Sequence, residues 1–229
     1  SFFVFLSSAI WIYLSKGIQI KNSEPNKFNI FNQLIIYWNL IKLRNVQILL
    51  LMSVCIFFYS HGLFNWLPEI LRIKNMTLSQ AGYWASIPTV VGIIGSILIP
   101  RIATPDRRMY IFFILILSAI ASTVLLLFDW LPVLSVGLIL QGISRATLMT
   151  IAILILMESP GVKSEHMGAA GGLFFTFAEI GGVLGPLSIG KIFDISGSFD
   201  LSLIFMTLVT ALLILFFLYL NYNNKKYKL

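Results

Sequence analysis

Apolar residues occur along this chain in blocks of about 20, and the polar residues gather between the blocks. A helix rises about 1.5 Å per residue, so such a block is long enough to cross the roughly 30 Å hydrocarbon core of a bilayer. A transmembrane barrel would instead show alternating segments of about ten residues. The pattern therefore predicts an all-α polytopic membrane protein with six complete transmembrane helices plus the end of a seventh. The complete spans are expected near residues 46–70, 80–100, 109–128, 131–157, 167–193 and 200–221.

The segments outside these spans have distinct compositions. Residues 1–15 are apolar, with no basic segment before them and no small-residue cleavage site after them, so we interpret them as the end of a cut helix and not as a signal peptide. Residues 16–45 form the longest polar stretch and are expected to be a linker. Its second half, FNIFNQLIIYWNLIKL, is amphipathic and could equally lie along the membrane surface or pack against neighbouring helices. Residues 46–221 then form a six-helix bundle, and residues 222–229 form a tail.

Composition supports a membrane protein, with the lipid bilayer as its surroundings. Hydrophobic residues make up 58% of the 229 positions and charged residues only 11%, whereas roughly a quarter of a soluble domain is charged. The net charge of +7 could suggest a nucleic-acid partner, but the basic residues are spread among the loops, where topology explains them better. Cys55 is the only cysteine, which argues against a disulfide framework and a cysteine-based metal site.

Basic residues are unequally divided between the two sides of the predicted bundle, and cytoplasmic loops carry the excess of Lys and Arg. The richer side holds the linker and the tail together with Arg101, Arg107, Arg108 and Lys163, while the poorer side holds Arg72, Lys74 and Lys191. We therefore expect the richer side and the C-terminus to be cytoplasmic. On the outer side, Thr77 or Ser79 is expected to cap the second span, and Asp129 to cap the fourth before Pro132.

The span that begins at Met167 contains seven glycines, one proline and one carboxylate before Lys191, which a simple lipid anchor does not need. Glycines four residues apart let a neighbouring helix approach closely in a membrane. Such spacing occurs at Gly168/Gly172 and at Gly181/Gly185. The expected helix-packing positions are Gly172, Gly181, Gly185, Pro186 and Gly190.

Ionisable and amide side chains inside the predicted spans are candidates for function because they are costly in lipid. Glu179 shares a helical face with Gly172, Thr176, Gly182 and Pro186, so it should face protein or a cavity. Arg145 falls in the middle of its span, with Gln141 one turn earlier. Arg145 needs a carboxylate, backbone carbonyls, water or an anionic ligand, and a structural pair with Glu179 is the alternative to a binding role.

Two further clusters allow two interpretations each. His61 and Asn65 lie one turn apart near the end of the first complete span, where they could line a cavity or simply meet water at the interface. Asp106, Arg107 and Arg108 lie in a tight turn between spans. They could anchor the turn, or form charge-assisted links to adjacent helix ends that hold one arrangement of the bundle.

These residues together resemble the C-terminal half of a major facilitator superfamily (MFS) transporter. The resemblance rests on six spans after a basic linker, the Asp106-Arg107-Arg108 turn, and the run AEIGGVLGPLSIGKIFDISGSF, which is similar to the cyanate-permease-like branch. The chain has Met109 where the family's turn motif has its second glycine. The resemblance implies that residues 1–15 end the family's sixth helix and that residues 16–45 are the cytoplasmic linker between two halves.

The same resemblance implies a second, N-terminal six-helix half, with a central site opened to either side by rocking. We expect a secondary active transporter of the plasma membrane that moves a small-molecule substrate, coupled to an ion or proton gradient. The substrate-binding candidates are Arg145, Gln141, His61 and Asn65, the coupling candidate is Glu179, and the gating candidates are Asp106, Arg107 and Arg108. Arg145 would contact an anionic group, if the solute carries one.

Two other functions remain alternatives. One is the membrane subunit of an ATP-driven permease, which would need a separate nucleotide-binding chain because no G-x-x-x-x-G-K-[ST] occurs; the other is a non-transporting assembly or binding protein. An enzyme is not expected. His61 and His166 lie in unrelated segments, and neither H-E-x-x-H nor a glycine-flanked serine motif occurs, so we expect no catalytic residues, no metal site and no cofactor.

Overall fold

The computed structural model describes residues 2–15 and 30–227, and the secondary structure of this part of the chain is almost entirely helical. Six helices in it are long and apolar enough to cross a membrane, which confirms the predicted number of complete spans. Most of their ends extend the predicted ones by a few residues, but α5 ends at Leu125, before the predicted end at residue 128. The helices are α1 (Phe2–Ser15), α2 (Ile30–Lys42), α3 (Arg44–Ile73), α4 (Leu78–Ile102), α5 (Pro105–Leu125), α6 (Leu131–Met157), α7 (Met167–Ser196) and α8 (Phe199–Tyr227).

The chain divides into two compact units, residues 1–35 and 36–229. In the first unit, α1 is a helix of 14 residues, in agreement with the interpretation of residues 1–15 as helical. The amphipathic half of the predicted linker forms α2. The rest of that linker, residues 16–29, and the last two residues of the predicted tail lie outside the described residues. The second unit contains all six spanning helices.

Local sequence signals account for several helix ends. Thr77 caps α4 as predicted: its hydroxyl accepts from the Gln80 backbone N–H, and the Gln80 side chain accepts from the Thr77 N–H, forming a capping box. Gly197 ends α7 at a φ of 69°, a left-handed conformation that glycine adopts without steric cost. The prediction that Asp129 caps α6 is wrong. Trp130 is the N-cap without a side-chain bond, and the Asp129 carboxylate instead accepts from Lys74 Nζ at 2.5 Å, because the end of α3 lies beside this turn.

Helix α3 lies at the centre of the second unit and packs against α4, α6, α7 and α8. Its contact with α7 depends on glycine. A Cβ added at Gly181 would overlap the Val54 carbonyl, and one at Gly185 would overlap the Phe58 carbonyl. In lipid, where apolar surface alone drives little association, such close backbone contact is a main source of helix pairing.

A second close contact joins α4 to α6. A Cβ at Gly142 would lie 2.5 Å from the Pro88 oxygen and 2.8 Å from the Pro88 Cα. Pro88 interrupts the hydrogen-bond ladder of α4, and such breaks are tolerated where neighbouring helices surround them. The contact holds the middle of α4 against the part of α6 that carries the predicted binding residues Gln141 and Arg145.

Buried hydroxyl groups connect α3, α5 and α6. The fully buried Tyr59 on α3 has its hydroxyl 2.9 Å from Ser122 Oγ on α5 and 2.7 Å from Ser144 Oγ on α6. Each serine oxygen also lies within hydrogen-bond distance of a carbonyl of its own helix, so every hydroxyl in the network has at least one partner. Hydrogen bonds of this kind contribute on average about 0.6 kcal/mol each in a membrane protein. These bonds fix the rotation of α6 about its own axis at the residue before Arg145.

Candidate functional site

Arg145 lies at the middle of α6 with few partners. Its Nη2 is 3.5 Å from Thr89 Oγ1 on α4, at the long limit for a hydrogen bond, and its guanidinium lies over the Phe64 ring of α3 at 4.9 Å. Its Nε is buried and has no hydrogen-bond partner within the described part of the chain. A guanidinium is charged at any physiological pH, so this site holds an incompletely satisfied cation.

Gln141 lies one turn before Arg145 on the same helix. Its side chain is 1% exposed, and its Oε1 has no partner among the described residues. Most buried polar atoms in proteins are hydrogen-bonded, so each exception requires an explanation such as a missing ligand or water. Here an unpaired donor and an unpaired acceptor occur at adjacent positions of one helix face.

Both side chains line a cavity of about 250 Å³ between α3, α4 and α6, which we call the Arg145 pocket. Its other lining residues include Phe64, Ser86, Pro88 and Thr89. No acidic side chain is among its described lining residues. The pocket can therefore supply positive charge and hydroxyl and amide groups to a ligand, but no counter-charge for a cation.

His61 and Glu179 approach each other across the α3–α7 contact. A Cβ at Gly182 would lie 3.0 Å from His61 Nδ1 and 3.1 Å from Glu179 Oε2, so both side chains border the space that this glycine leaves open. The His61 ring stacks on Phe57 with centroids 5.0 Å apart. Glu179 is exposed along the face of α7 rather than buried within the unit.

Arg145 and Glu179 do not form an ion pair in this structure, which leaves the structural-pair alternative without support. Arg145 turns towards α4, and Glu179 lies beside His61 of α3. Four of the five binding and coupling candidates therefore occupy two separate places. Arg145 and Gln141 lie in the pocket, and His61 and Glu179 lie at the α3–α7 contact.

Asn65 lies in neither place. Its Nδ2 donates to the His61 carbonyl at 2.8 Å, and its side chain is exposed in an open groove between α3 and α7. Trp66 borders the same groove and donates from Nε1 to the Pro186 carbonyl at 2.9 Å. Asn65 thus lines this open groove and not the Arg145 pocket.

The predicted packing positions on α7 differ in their surroundings. Gly181 and Gly185 meet the α3 backbone, and Gly190 meets the Trp66 ring, 2.8 Å from a Cβ placed there. Gly172 is different, because a Cβ there would meet nothing within 4 Å in the described residues, and the same holds for Gly168. The prediction of packing at Gly172 is therefore not met within this unit, since that face of α7 is open.

The residues predicted to lie in the turn before the third span instead lie at the start of α5, where one is buried and two are exposed. Arg108 is buried, forms an ion pair with Glu158 at the end of α6, and donates from Nε to the Ala103 carbonyl at 3.2 Å. Asp106 and Arg107 are exposed. The charge-assisted link expected from this turn thus runs from Arg108 to the end of α6.

Two residues near Arg145 were not among the sequence candidates. Thr89 is the polar neighbour of its guanidinium, and Phe64 covers one of its faces. Thr89 directly follows the mid-span Pro88, although Ser86 and Ser96 place hydroxyl groups in the same span. Phe64 gave no comparable signal among the 19 phenylalanines of the chain. No cluster of His, Cys, Asp or Glu suited to a metal ion occurs in residues 2–15 and 30–227.

Comparison with known proteins identifies the family. A sequence model of the Major Facilitator Superfamily matches residues 1–186 and 49–228, two overlapping matches that together cover nearly all of the chain. The chain belongs to the major facilitator superfamily. Membership confirms the resemblance drawn from the sequence, whereas the cyanate-permease-like placement within the superfamily stays a prediction.

Three curated relatives are named as transporters. A quinolone resistance transporter of Acinetobacter baumannii is 26% identical over 193 residues, which are 81% of this chain and 44% of that protein. A probable galactarate/D-glucarate transporter of Escherichia coli (strain K12) is 24% identical over 184 residues, 76% of this chain and 40% of the relative. A protein of the same name in Bacillus subtilis (strain 168) is 28% identical over 166 residues, which are 66% of this chain and 35% of that relative. The chain thus spans less than half the length of these relatives.

Proposed function

We propose that this chain is the C-terminal half of a secondary active transporter, which moves a small anionic solute across the plasma membrane by alternating access. The observation that carries the proposal is Arg145, a permanent cation at the middle of a spanning helix that lines a cavity and has no acidic partner in the described ion pairs. Placing an arginine at this depth costs about 3 kcal/mol on insertion scales. An anionic solute in the pocket offsets that cost when it binds.

We assign proton or ion coupling to the α3–α7 contact, where Glu179 and His61 border Gly182. Because Arg145 does not hold Glu179 as an ion pair, the carboxylate is free to exchange a proton during the transport cycle. Solute and coupling ion would then occupy neighbouring sites on the two sides of α3.

Alternating access requires a second bundle for this one to rock against. The partner in this proposal is an N-terminal six-helix half of the same protein, which is consistent with the 35–44% of the relatives' length that the alignments cover. The ion pair of Arg108 with Glu158, together with Asp106 and Arg107, would hold the cytoplasmic ends of α5 and α6 in one of the two states. The C-terminal end of α8 is cytoplasmic in this arrangement.

The relatives' names support transport but do not select a substrate, since one names quinolone resistance and two name galactarate/D-glucarate. The chemistry of the solute therefore rests on the Arg145 pocket itself. Its volume of about 250 Å³ is just below the range of about 300–1,000 Å³ that is typical of drug-sized ligands. A small solute, or one end of a larger one, is the expected occupant.

The test of this function is uptake by the native gene product in proteoliposomes, measured with a panel of radiolabelled organic acids and neutral solutes. We expect at least one acid to accumulate above its external concentration when an ion or proton gradient is imposed without ATP. An ionophore that collapses the gradient should remove the accumulation. Accumulation that requires ATP and a second, nucleotide-binding chain would contradict the proposal and favour a permease subunit.

A further inference from the structure

We infer that the Arg145 pocket recognises a hydroxy acid, with Arg145 holding the carboxylate and Gln141 accepting a hydrogen bond from a hydroxyl group beside it. The inference rests on the proposed function, because it names the ligand class of the same pocket. It goes beyond an anion contact, since it requires a second polar group on the solute in a defined place.

Arg145 supplies the anion-binding part. Its buried Nε is without a partner, and its Nη2 makes only the 3.5 Å contact with Thr89. A guanidinium presents its N–H groups as a planar fork that fits the two oxygens of a carboxylate. Phe64 covers one face of the group, so a ligand must approach in the plane of the fork or from the opposite face.

Gln141 supplies the part that a carboxylate cannot satisfy. Its side chain is 1% exposed, lines the pocket and leaves Oε1 unpaired. An amide oxygen only accepts hydrogen bonds, and an ionised carboxylate, sulfate or nitrate also only accepts. In the amide orientation of this structure, a purely accepting anion would leave the Gln141 oxygen buried without a donor, which costs about 1–3 kcal/mol.

The donor on the solute is a hydroxyl rather than an ammonium group. The described lining of the pocket contains no acidic side chain, so an ammonium beside Arg145 would be repelled without compensation. A hydroxyl is neutral and can both donate and accept, which also suits the nearby Thr89 hydroxyl.

The spacing of the two side chains fits one small molecule. Gln141 and Arg145 are four residues apart on α6, and Cβ atoms at that spacing are roughly 5–6 Å apart on the same helix face. The contact of Gly142 with Pro88 and the bond of Ser144 to Tyr59 hold this turn of α6 in place. The acceptor and the donor fork are thus presented together by one rigid helical turn.

The inference is tested by titration calorimetry, which measures the binding of matched acids to the purified native gene product in detergent. The two pairs are lactate with propionate and malate with succinate, whose members differ by one hydroxyl group. We expect the hydroxy member of at least one pair to bind roughly tenfold more tightly, the upper range for one net hydrogen bond. Equal affinities within both pairs, or no binding of any of the four at millimolar concentration, would overturn the inference.

Variants assign the preference to Gln141. In Gln141→Leu, the hydroxy and plain acids should bind with similar affinity. The control Gln47→Leu, near the start of α3 and outside the pocket, should keep the roughly tenfold preference. A preference that survives in Gln141→Leu would contradict the assignment. Acids that bind equally well within each pair but only when Arg145 is present would overturn the hydroxy-acid inference and leave the proposed anion transport intact.

Discussion

Replacing Arg145 with glutamine is expected to abolish uptake of the anionic substrate while the protein stays folded in the membrane. The charge-assisted hydrogen bonds lost with the guanidinium are worth about 1.5–3 kcal/mol each. Loss of the bidentate pair therefore lowers uptake by a factor of roughly 100 or more, which brings the uptake to about the detection limit. Uptake into proteoliposomes and the amount of protein in the membrane are measured together.

Folding should survive this change because Arg145 contributes little to it. Its polar contact with Thr89 is at the long limit, and removal of a partly buried cation without a counter-charge relieves a desolvation cost. The melting temperature of Arg145→Gln should be equal to or above that of the wild type. Arg101→Gln, at an exposed position near the end of α4, is the control and should transport normally. Unchanged uptake by Arg145→Gln would exclude Arg145 as the ligand contact.

Replacing Gly185 with leucine is expected to lower the yield of folded protein severely. The first atom of the new side chain would overlap the Phe58 carbonyl, and a backbone group on a buried helix cannot move aside as a flexible side chain can. Overpacking in a well-packed core costs about 1–3 kcal/mol, and this contact is with backbone, so the upper end of that range or more is expected. The measurement is the monodisperse fraction after extraction and size-exclusion chromatography.

Gly172→Leu is the matched control for this change, because it makes the same substitution in the same helix. A Cβ at Gly172 meets nothing within 4 Å in the described residues, so this variant should give close to the wild-type yield. Equal losses in the two variants would show that leucine disturbs α7 for reasons other than its contact with α3. Wild-type yield for Gly185→Leu would show that α3 and α7 are not packed as described.

The number and placement of the spanning helices could be predicted from the sequence because length and apolar content alone determine which segments can cross a bilayer. The Thr77 cap was predictable for a similar reason, since its partner Gln80 is only three residues away. Asp129 also stands just before a helix, where a capping residue is expected, but its carboxylate bonds to Lys74, 55 positions earlier in the chain. That partner depends on where the end of α3 lies, which no local pattern encodes.

The same limit applies to the candidate site. Spacing placed Gln141 and Arg145 on one face of one helix, because both belong to the same element. Whether Arg145 meets Glu179 depends on the rotation of α6 and α7 about their axes, and the structure turns the two side chains to different neighbours. Glycine spacing identified surfaces that allow close approach. It could not show that Gly185 would meet α3 while Gly172 faces open space.

The claim that these six helices are one half of a transporter is tested most directly by the intact mass of the native gene product isolated from membranes. The account predicts a mass near twice the 25.8 kDa of this chain, with a second six-helix half preceding residue 1. A mass near 25.8 kDa would contradict it, since no second half of the same polypeptide would then be present for this bundle to rock against.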